Sequence, residues 1–356
     1  MILIFVDDDD DDDVVVVVVV VVISGRVIKE TVDNLLMSAP KAYIAYSDSI
    51  VAGSRLGIEE CGHQFMWEKW NCPIQKSPIL THGAFLPVTR ELAFARAICS
   101  AGVTYTLTRN CSSGLLHDCD CSSRQKTVHS GKQWTWAGCK ESFDFAIKVS
   151  RGFLDNRDDS RDAKAFVNLH NNEAGRQSIR RTLSQLCKCH GVSGSCTTKT
   201  CWKQLPDFRV VGDYLKNKYK RALLADFQNG LPPREVITYK YNGRAPSSSS
   251  GIRAIAIHTG RLKQTSLVYL DQSPDYCKRN GTHATLGRRC VRSRDPNAES
   301  NAEKKSCSTL CRQCGLRVRR TTITVETICD CKFHWCCFVQ CQNCVETRHL
   351  LTCSLL

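Results

Sequence analysis

The sequence predicts an α+β protein: a helical N-terminal domain that carries a cross-linked hairpin, then a small cystine-rich β-finger C-terminal domain. Three observations predict it. Apolar residues recur at helical spacing as far as about Tyr241, apolar–polar alternation replaces them beyond Asp275, and cysteines make up 23 of 356 residues. So many thiols do not persist free, which leaves disulfides or metal, and disulfides persist in the secretory route. Cys329, Cys331, Cys336, Cys337, Cys341, Cys344 and Cys353 crowd the C-terminal end. Little apolar core fits between them, so covalent staples must carry that region.

Residues 1–23 form a low-complexity leader, with Asp7–Asp13 followed by Val14–Val22 and Ile23. The apolar run has the length of a signal-peptide core, and Ser24 and Gly25 supply small residues after it. The region before it is acidic where a signal sequence is basic. The leader reads as an atypical signal peptide or as an error in the deduced sequence, and it is set aside from fold reasoning. No other stretch is long and apolar enough to cross a bilayer.

From about Thr31 to Tyr241 the pattern is mainly helical. Thr89 caps a helix whose Leu92, Ala93, Ala97, Ile98, Ala101 and Tyr105 fall near one face. Phe143, Ala146, Ile147, Ser150 and Leu154 mark a second. Ser160 and Asp162 start a longer one, with a stripe of Phe166, Val167, Ile179, Leu183 and Leu186 that runs into Cys187. There Cys187, Cys189, Cys196 and Cys201 frame a short segment around Gly191-Val192-Ser193-Gly194-Ser195. Cross-linked, it becomes a stiff hairpin with a small hydroxyl-bearing tip, suited to presentation to an enzyme or receptor.

Asn242–Gly251 is a flexible linker by composition. Beyond Asp275, Leu316–Arg319 and Ile323–Glu326 alternate like short half-buried strands. The chain divides into the leader 1–23, a helical domain 24–241 with its hairpin at 187–202, a linker 242–262 and a finger domain 263–356. In the finger, Phe333, Trp335, Phe338 and Val339 surround the adjacent pair Cys336-Cys337. An apolar tip on a stapled ribbon is a protein-contact surface, since aromatic anchors dominate interface energetics. Of these aromatics, Phe333 suits a small core.

Other chemistries fit less well. Gly191–Ser195 nearly matches a nucleophile elbow, but the fifth residue is Ser195 rather than Gly, and a helix is expected before the motif where the elbow needs a strand. His190 reads as a loop residue, and the chain as not an enzyme. The Cys311-x-x-Cys314 and Cys341-x-x-Cys344 pairs have zinc-ribbon spacing, yet crowding by further cysteines favours cystines over a metal site. Net charge is +14. Basic clusters at Lys216, Lys218, Lys220 and Arg221, at Arg288, Arg289, Arg292 and Arg294, and at Arg317, Arg319 and Arg320 are candidates for heparan sulfate. No nucleic-acid-binding motif is present. Asn110 and Asn280 head glycosylation sequons.

The segment Cys187–Trp202 closely resembles the lipid-bearing hairpin of Wnt signalling proteins. Asn71-Cys72-Pro73, Arg90-Glu91, Thr108–Cys111, Asn168–Gly175 and Cys331–Cys337 resemble further motifs of that family. Ser273–Cys277 and Cys314–Val318 are similar to its eighth subgroup in particular. The resemblance spans about Thr31 to Cys353. It implies a secreted ligand of the extracellular space and matrix, with a mono-unsaturated sixteen-carbon (palmitoleoyl) ester on Ser193 and no other cofactor. It implies that Lys188, Val192 and Ser193 on the hairpin, and Trp335, Cys336, Cys337, Phe338 and Val339 on the finger, hold a Frizzled receptor from two sides. A low-density-lipoprotein-receptor-related co-receptor would join them to activate β-catenin signalling. A membrane acyltransferase and a lipid carrier would act during secretion. The implied disulfides are Cys61–Cys72, Cys111–Cys119, Cys121–Cys139, Cys187–Cys201 and Cys189–Cys196, then Cys277–Cys314, Cys290–Cys307, Cys311–Cys353, Cys329–Cys344, Cys331–Cys341 and Cys336–Cys337. They leave Cys99 over, a thiol expected to be buried. The competing reading is a heparin-binding, cystine-rich factor that acts without lipid or Frizzled.

Overall fold

The computed structural model describes residues 40–73, 87–116, 119, 134–136, 140–155, 163–226, 236–240, 255–260, 263–279, 282–292, 300–335 and 337–355. The leader, most of the linker, Cys121, Cys139, Asn280 and Cys336 lie outside the described residues. The chain forms two units: one from the residues up to Gln64 together with Cys72–Ser273, the other from Phe65–Asn71 together with Pro274–Leu356.

The first unit is built around one helix. α1 (Pro40–Gln64) precedes it; α2 (Arg90–Ser112) is the helix itself, and α3 (Lys140–Leu154) and α4 (Ala163–Thr182) follow. Thr89 starts α2 as its N-cap, with its hydroxyl accepting from the Leu92 amide. Phe94, Ala97, Ile98, Ala101, Val103 and Leu107 are buried on several sides of α2, because helices cover it from several directions. Close approach demands small residues. A Cβ on Gly57 would lie 2.7 Å from the Cys99 Cα; one on Gly102 would strike the Gly53 carbonyl, and one on Gly175 of α4 the Ala97 carbonyl. Cys99 is only 2% exposed at this crossing, and burial pushes its thiol up to about 12, so it stays protonated and inert.

The Asn168–Gly175 motif fastens this body together. The Asn171 amide donates to the Val268 carbonyl at 2.8 Å and accepts from its N–H at 3.0 Å, as a neighbouring strand would. Asn172 donates to Asp155, and His170 Nε2 meets the Ser266 carbonyl. Arg176, 1% exposed, is held by Asp155 at 2.6 Å and Glu173 at 2.9 Å. Removing both partners would leave its buried charge uncompensated. Glu91, also buried, accepts from Tyr219 and Ser273.

Small strands complete the unit. β1 (Trp134–Trp136) runs parallel to β3 (Lys199–Gln204), which pairs antiparallel with β2 (Ser184–Cys189). After α5 (Phe208–Lys220) come β4 (Leu223–Asp226), β5 (Val236–Lys240), β6 (Ile255–Gly260) and β7 (Val268–Tyr269), in the sheet order β6-β5-β4-β7. Two expectations are corrected here. The linker 242–262 contains the strand β6, and residues 263–273 belong to the first unit because β7 pairs with Leu223–Leu224 and is clamped by Asn171. The helix expected to reach Cys187 stops at Thr182; Leu183 lies beyond it, and Leu186 sits on β2, 47% exposed.

In the second unit, Phe65 packs edge-on against Trp70, and Arg288 donates to the Met66, Glu68 and Lys69 carbonyls. β8 (Lys278–Arg279), β9 (Thr282–His283), β10 (Arg289–Cys290) and α6 (Asn301–Lys304) lead to β11 (Arg317–His334) and β12 (Phe338–Ser354). The short strands expected at Leu316–Arg319 and Ile323–Glu326 fall within one 18-residue strand, continuous because β12 pairs with it in one register from Arg317 to Cys329. Its base is a small core of Cys290, Cys307, Leu310, Cys311, Leu316 and Cys353.

Two predictions follow from the helical body. Gly175→Ala drives a Cβ into the α2 backbone and should cost about 1–3 kcal/mol. Gly62→Ala, with open space around it, should be neutral or gain up to about 1 kcal/mol; thermal melts of the two secreted variants check the contrast. Glu60 is buried against Gly212 and salt-bridged to Arg209, and burial pushes its carboxyl up to about 7 although Gln64 and Arg209 pull it down. Its folded pKa lies above the unfolded value, so its contribution is full at low pH and lost as pH rises through about 7. Glu60→Gln should flatten the melting temperature between pH 5 and 8 (roughly the window of that titration), whereas the parent should fall across it.

Candidate functional site

The hairpin β2–β3 places Cys187 directly opposite Cys201, with Cα atoms 4.0 Å apart and a disulfide between them. A second bond, Cys189–Cys196, closes the loop just above. Within it the His190 amide donates to the Thr198 carbonyl, Gly191 to Ser195 and Gly194 to Gly191. Gly191 is required because a Cβ there would strike the Ser195 and Thr197 hydroxyls, and Gly194 because its φ is +75°. Thr197 and Ser195 share a hydrogen bond at 3.1 Å, and His190 Nε2 lies 3.1 Å from the Thr200 hydroxyl.

Ser193 stands apart from these. Its backbone is left-handed at φ 55°, ψ 30°, a conformation that costs a non-glycine residue energy. It is exposed, and among the described residues its hydroxyl has no partner. Val192 beside it is 90% exposed, and Lys188 is exposed on β2. The arrangement offers one primary hydroxyl to an approaching enzyme while fixing the other, Ser195. It does not make a nucleophile elbow. A strand precedes the motif, correcting the expected helix, but a strand also follows it where the elbow requires a helix.

The finger tip is the second exposed site. Cys329–Cys344 and Cys331–Cys341 link β11 to β12 across a bulge between Cys329 and Lys332. His334 stacks on Phe338 at 5.0 Å. Trp335 is 94% exposed, and Phe338 and Val339 are each more than half exposed. Phe333, expected in a core, is instead 69% exposed, because the ribbon has no layer of protein over either face at that height. The positive φ of Asp330 and Cys337 marks backbone bent by the bulge and the turn.

The other expected residues fall as follows. Disulfides join Cys61 to Cys72, Cys111 to Cys119, Cys277 to Cys314, Cys290 to Cys307 and Cys311 to Cys353. The Cys121–Cys139 and Cys336–Cys337 pairs involve residues outside the described set. All four cysteines of the two C-x-x-C pairs carry disulfides, so their sulfurs are not free thiolates. Asn110 is half-buried near the end of α2, its amide donating to Ser49. Sequence reasoning missed the left-handed Ser193 and the strand β1 beside β3; neither has a glycine, turn or periodicity signal.

Comparison with known proteins supplies the family. The model of the wnt family matches residues 31–354. The chain belongs to the Wnt family. Among its relatives, Wnt-8a of Danio rerio is 43% identical over 320 residues, covering 89% of this chain and 86% of that protein. Wnt-8b of Homo sapiens is 45% identical over 317 residues, covering 88% and 86%. The solved structure of human WLS in complex with WNT8A matches with a TM-score of 0.64 at 38% identity, covering 91% of this chain and 99% of that one. These relatives place the chain with the eighth Wnt subgroup. Wnt proteins are secreted signalling ligands and not enzymes, so the serine-bearing loop belongs to a ligand. No described helix is long and apolar enough to cross a membrane.

The inner bridge is expected to act on the loop more than on the body. Cys189→Ser with Cys196→Ser opens a loop of seven-residue separation and leaves Cys187–Cys201 in place. Trypsin should then cut at Lys188 or Lys199 faster than in the parent, with the thermal midpoint of the helical body unchanged. Equal cutting rates would assign the loop's rigidity to its hydrogen bonds.

Proposed function

We propose that this Wnt ligand carries a palmitoleoyl ester on Ser193 and uses it, with the finger tip, to bind the cysteine-rich domain of a Frizzled receptor. The observation that carries the reading is the partnerless, left-handed, exposed Ser193 hydroxyl at the tip of a doubly cross-linked hairpin. An attached chain brings about 0.8 kcal/mol per buried methylene, so a single sixteen-carbon chain supplies on the order of 10 kcal/mol of apolar driving force. A rigid hairpin lets that chain be offered to a receptor groove without first ordering the loop that bears it.

Lys188 and Val192 flank the acyl site, and Trp335, Phe338 and Val339, with the adjacent Cys336 and Cys337, form the second contact. A low-density-lipoprotein-receptor-related co-receptor then joins the complex and stabilises β-catenin. Before that, a membrane acyltransferase loads the chain. The relative WNT8A was solved in complex with WLS, and a carrier of that kind escorts this lipidated ligand during secretion. Asn110 and Asn280 are glycan acceptors in the same route.

Ser193→Ala should remove the lipid, abolish β-catenin reporter activity and weaken Frizzled-domain binding at least a hundredfold, with the fold intact by circular dichroism. Full signalling by secreted Ser193→Ala protein would favour a cystine-rich factor that acts without lipid. Trp335→Ala should weaken Frizzled-domain binding by more than about 1 kcal/mol; unchanged affinity in a folded variant would make Trp335 a spectator.

A further inference from the structure

The strand β11 has a partner on one side only. It is the last strand in the sheet order β10-β12-β11, and it pairs with β12 in one unbroken register from Arg317 to Cys329. Among the described residues no backbone group hydrogen-bonds its other edge beyond Leu316, which donates to the Cys311 carbonyl. Such an edge offers a row of N–H and C=O groups to water and is a template for another strand. Its middle, Thr321-Thr322-Ile323-Thr324-Val325, is β-branched throughout, uncharged, and free of glycine and proline. That is the composition that pairs most readily. Native edges are commonly blunted by charge. Here the flanking charges are opposite in sign: Arg320 and Glu326 stand three residues to either side of Ile323.

Neither charge is matched within the finger. Alternate residues of a strand share a face, which groups Val318, Arg320, Glu326 and Ile328. On that face Arg320 lies opposite Leu351 and Glu326 opposite Val345, so neither meets an opposite charge across the ribbon. Both are exposed, and among the described residues neither forms an ion pair. The same face leaves apolar surface open, with Ile328 73% and Val345 69% exposed. Both lie outside the aromatic tip.

We propose that β11 pairs antiparallel with β11 of a second copy of this chain, about a two-fold axis through Ile323. In that register Arg320 of each copy lies opposite Glu326 of the other, which makes two ion pairs, each formed by directly opposed residues on one face. Val318 of each copy lies opposite Ile328 of the other and covers it, and Ile323 meets itself on the axis. Moving the axis by one residue sets Arg320 opposite Thr324 or Ile328 and loses both ion pairs. Ile323 is also the midpoint of Arg317–Cys329, so this register uses the whole regular stretch and stops at the bulge between Cys329 and Lys332. The two ribbons become one sheet in the order β12-β11-β11-β12, past the three strands that independent stability requires. A contact in which the same edge meets itself closes on itself, so it makes dimers and not fibres. Trp335, Phe338 and Val339 lie beyond the bulge and take no part in the pairing. Ser193 takes no part either, so the dimer stands or falls separately from the acylation proposed above.

The test measures the mass in solution of full-length secreted protein by sedimentation, over a range of concentrations. It is run in the parent and in a Ser193→Ala background, which removes association through an acyl chain. Both should show a monomer–dimer equilibrium. Arg320→Glu and Glu326→Arg should each weaken dimerisation about tenfold or more, because each sets two pairs of like charges opposite one another. Arg320→Glu/Glu326→Arg together should dimerise like the parent. The two single variants, mixed, should dimerise with each other although neither does so alone. A protein that is monomeric at every concentration would overturn the proposal, as would an association lost entirely in the Ser193→Ala background. Single variants that dimerise like the parent would overturn it too, and so would a double variant as weak as the singles, since these charges would then not face each other. If the charge variants are not secreted, Ile328→Asp, at an exposed position, should weaken dimerisation about tenfold or more by placing a charge against Val318; an unchanged dimer in that variant overturns the proposal.

Discussion

Two ribbons in this protein have little apolar surface to bury: β2 is exposed along most of its length and its partner β3 gains only the three-residue β1, while β11–β12 is exposed toward its tip; an isolated two-stranded hairpin is marginal in water. β2–β3 carries the Ser193 loop, and β11–β12 carries the finger tip. Each is held by cross-strand cystines placed where the register brings cysteines opposite or nearly so. A bridge of this kind contributes about 2–4 kcal/mol by constraining the unfolded chain, and it uses none of the apolar surface. The aromatic tip and the hydroxyl loop can therefore stay exposed and still be rigid. Covalent stapling is the condition under which a binding surface can exist so far from a core.

The helical body solves the opposite problem. There the backbone itself comes into contact, with Gly53, Gly57, Gly102 and Gly175 admitting helices close to α2. The buried polar network of Arg176, Asp155, Glu173 and Asn172 is satisfied internally, as a buried network must be. One consequence is that α4 is fixed up to Thr182, only one residue short of the strand that begins the Ser193 hairpin. Rigidity passes from packed helices to stapled ribbon without a long flexible joint.

How much of this could be read from the chain depended on the kind of signal. The Thr89 cap and the α2 stripe are local chemistry and are visible in sequence. The cysteine frame of the hairpin marked the loop, and resemblance to the Wnt family supplied the pairing. The end of the helix at Thr182 was hidden because Leu183 and Leu186 continue the helical spacing; Leu186 belongs instead to the strand that Cys187 ties to Cys201. The 18-residue strand β11 was hidden because threonines and charges interrupt its alternation where both faces meet water. The left-handed Ser193 was hidden because φ above zero is the habit of glycine and asparagine. That Arg319 and Arg320, neighbours in sequence, point to opposite sides of β11 became visible only once the strand was placed.

The central claim is that the Ser193 hydroxyl is the acylated group, and it is tested most directly on the unaltered protein. Secreted, signalling-competent protein would be digested without reduction, and the cystine-linked fragment containing Gly191–Ser195 would be weighed. The account predicts a fragment heavier by one mono-unsaturated sixteen-carbon acyl group, with fragmentation placing it on Ser193 and not Ser195. A fully active preparation in which that fragment carries no lipid, or carries it on Ser195, would contradict it.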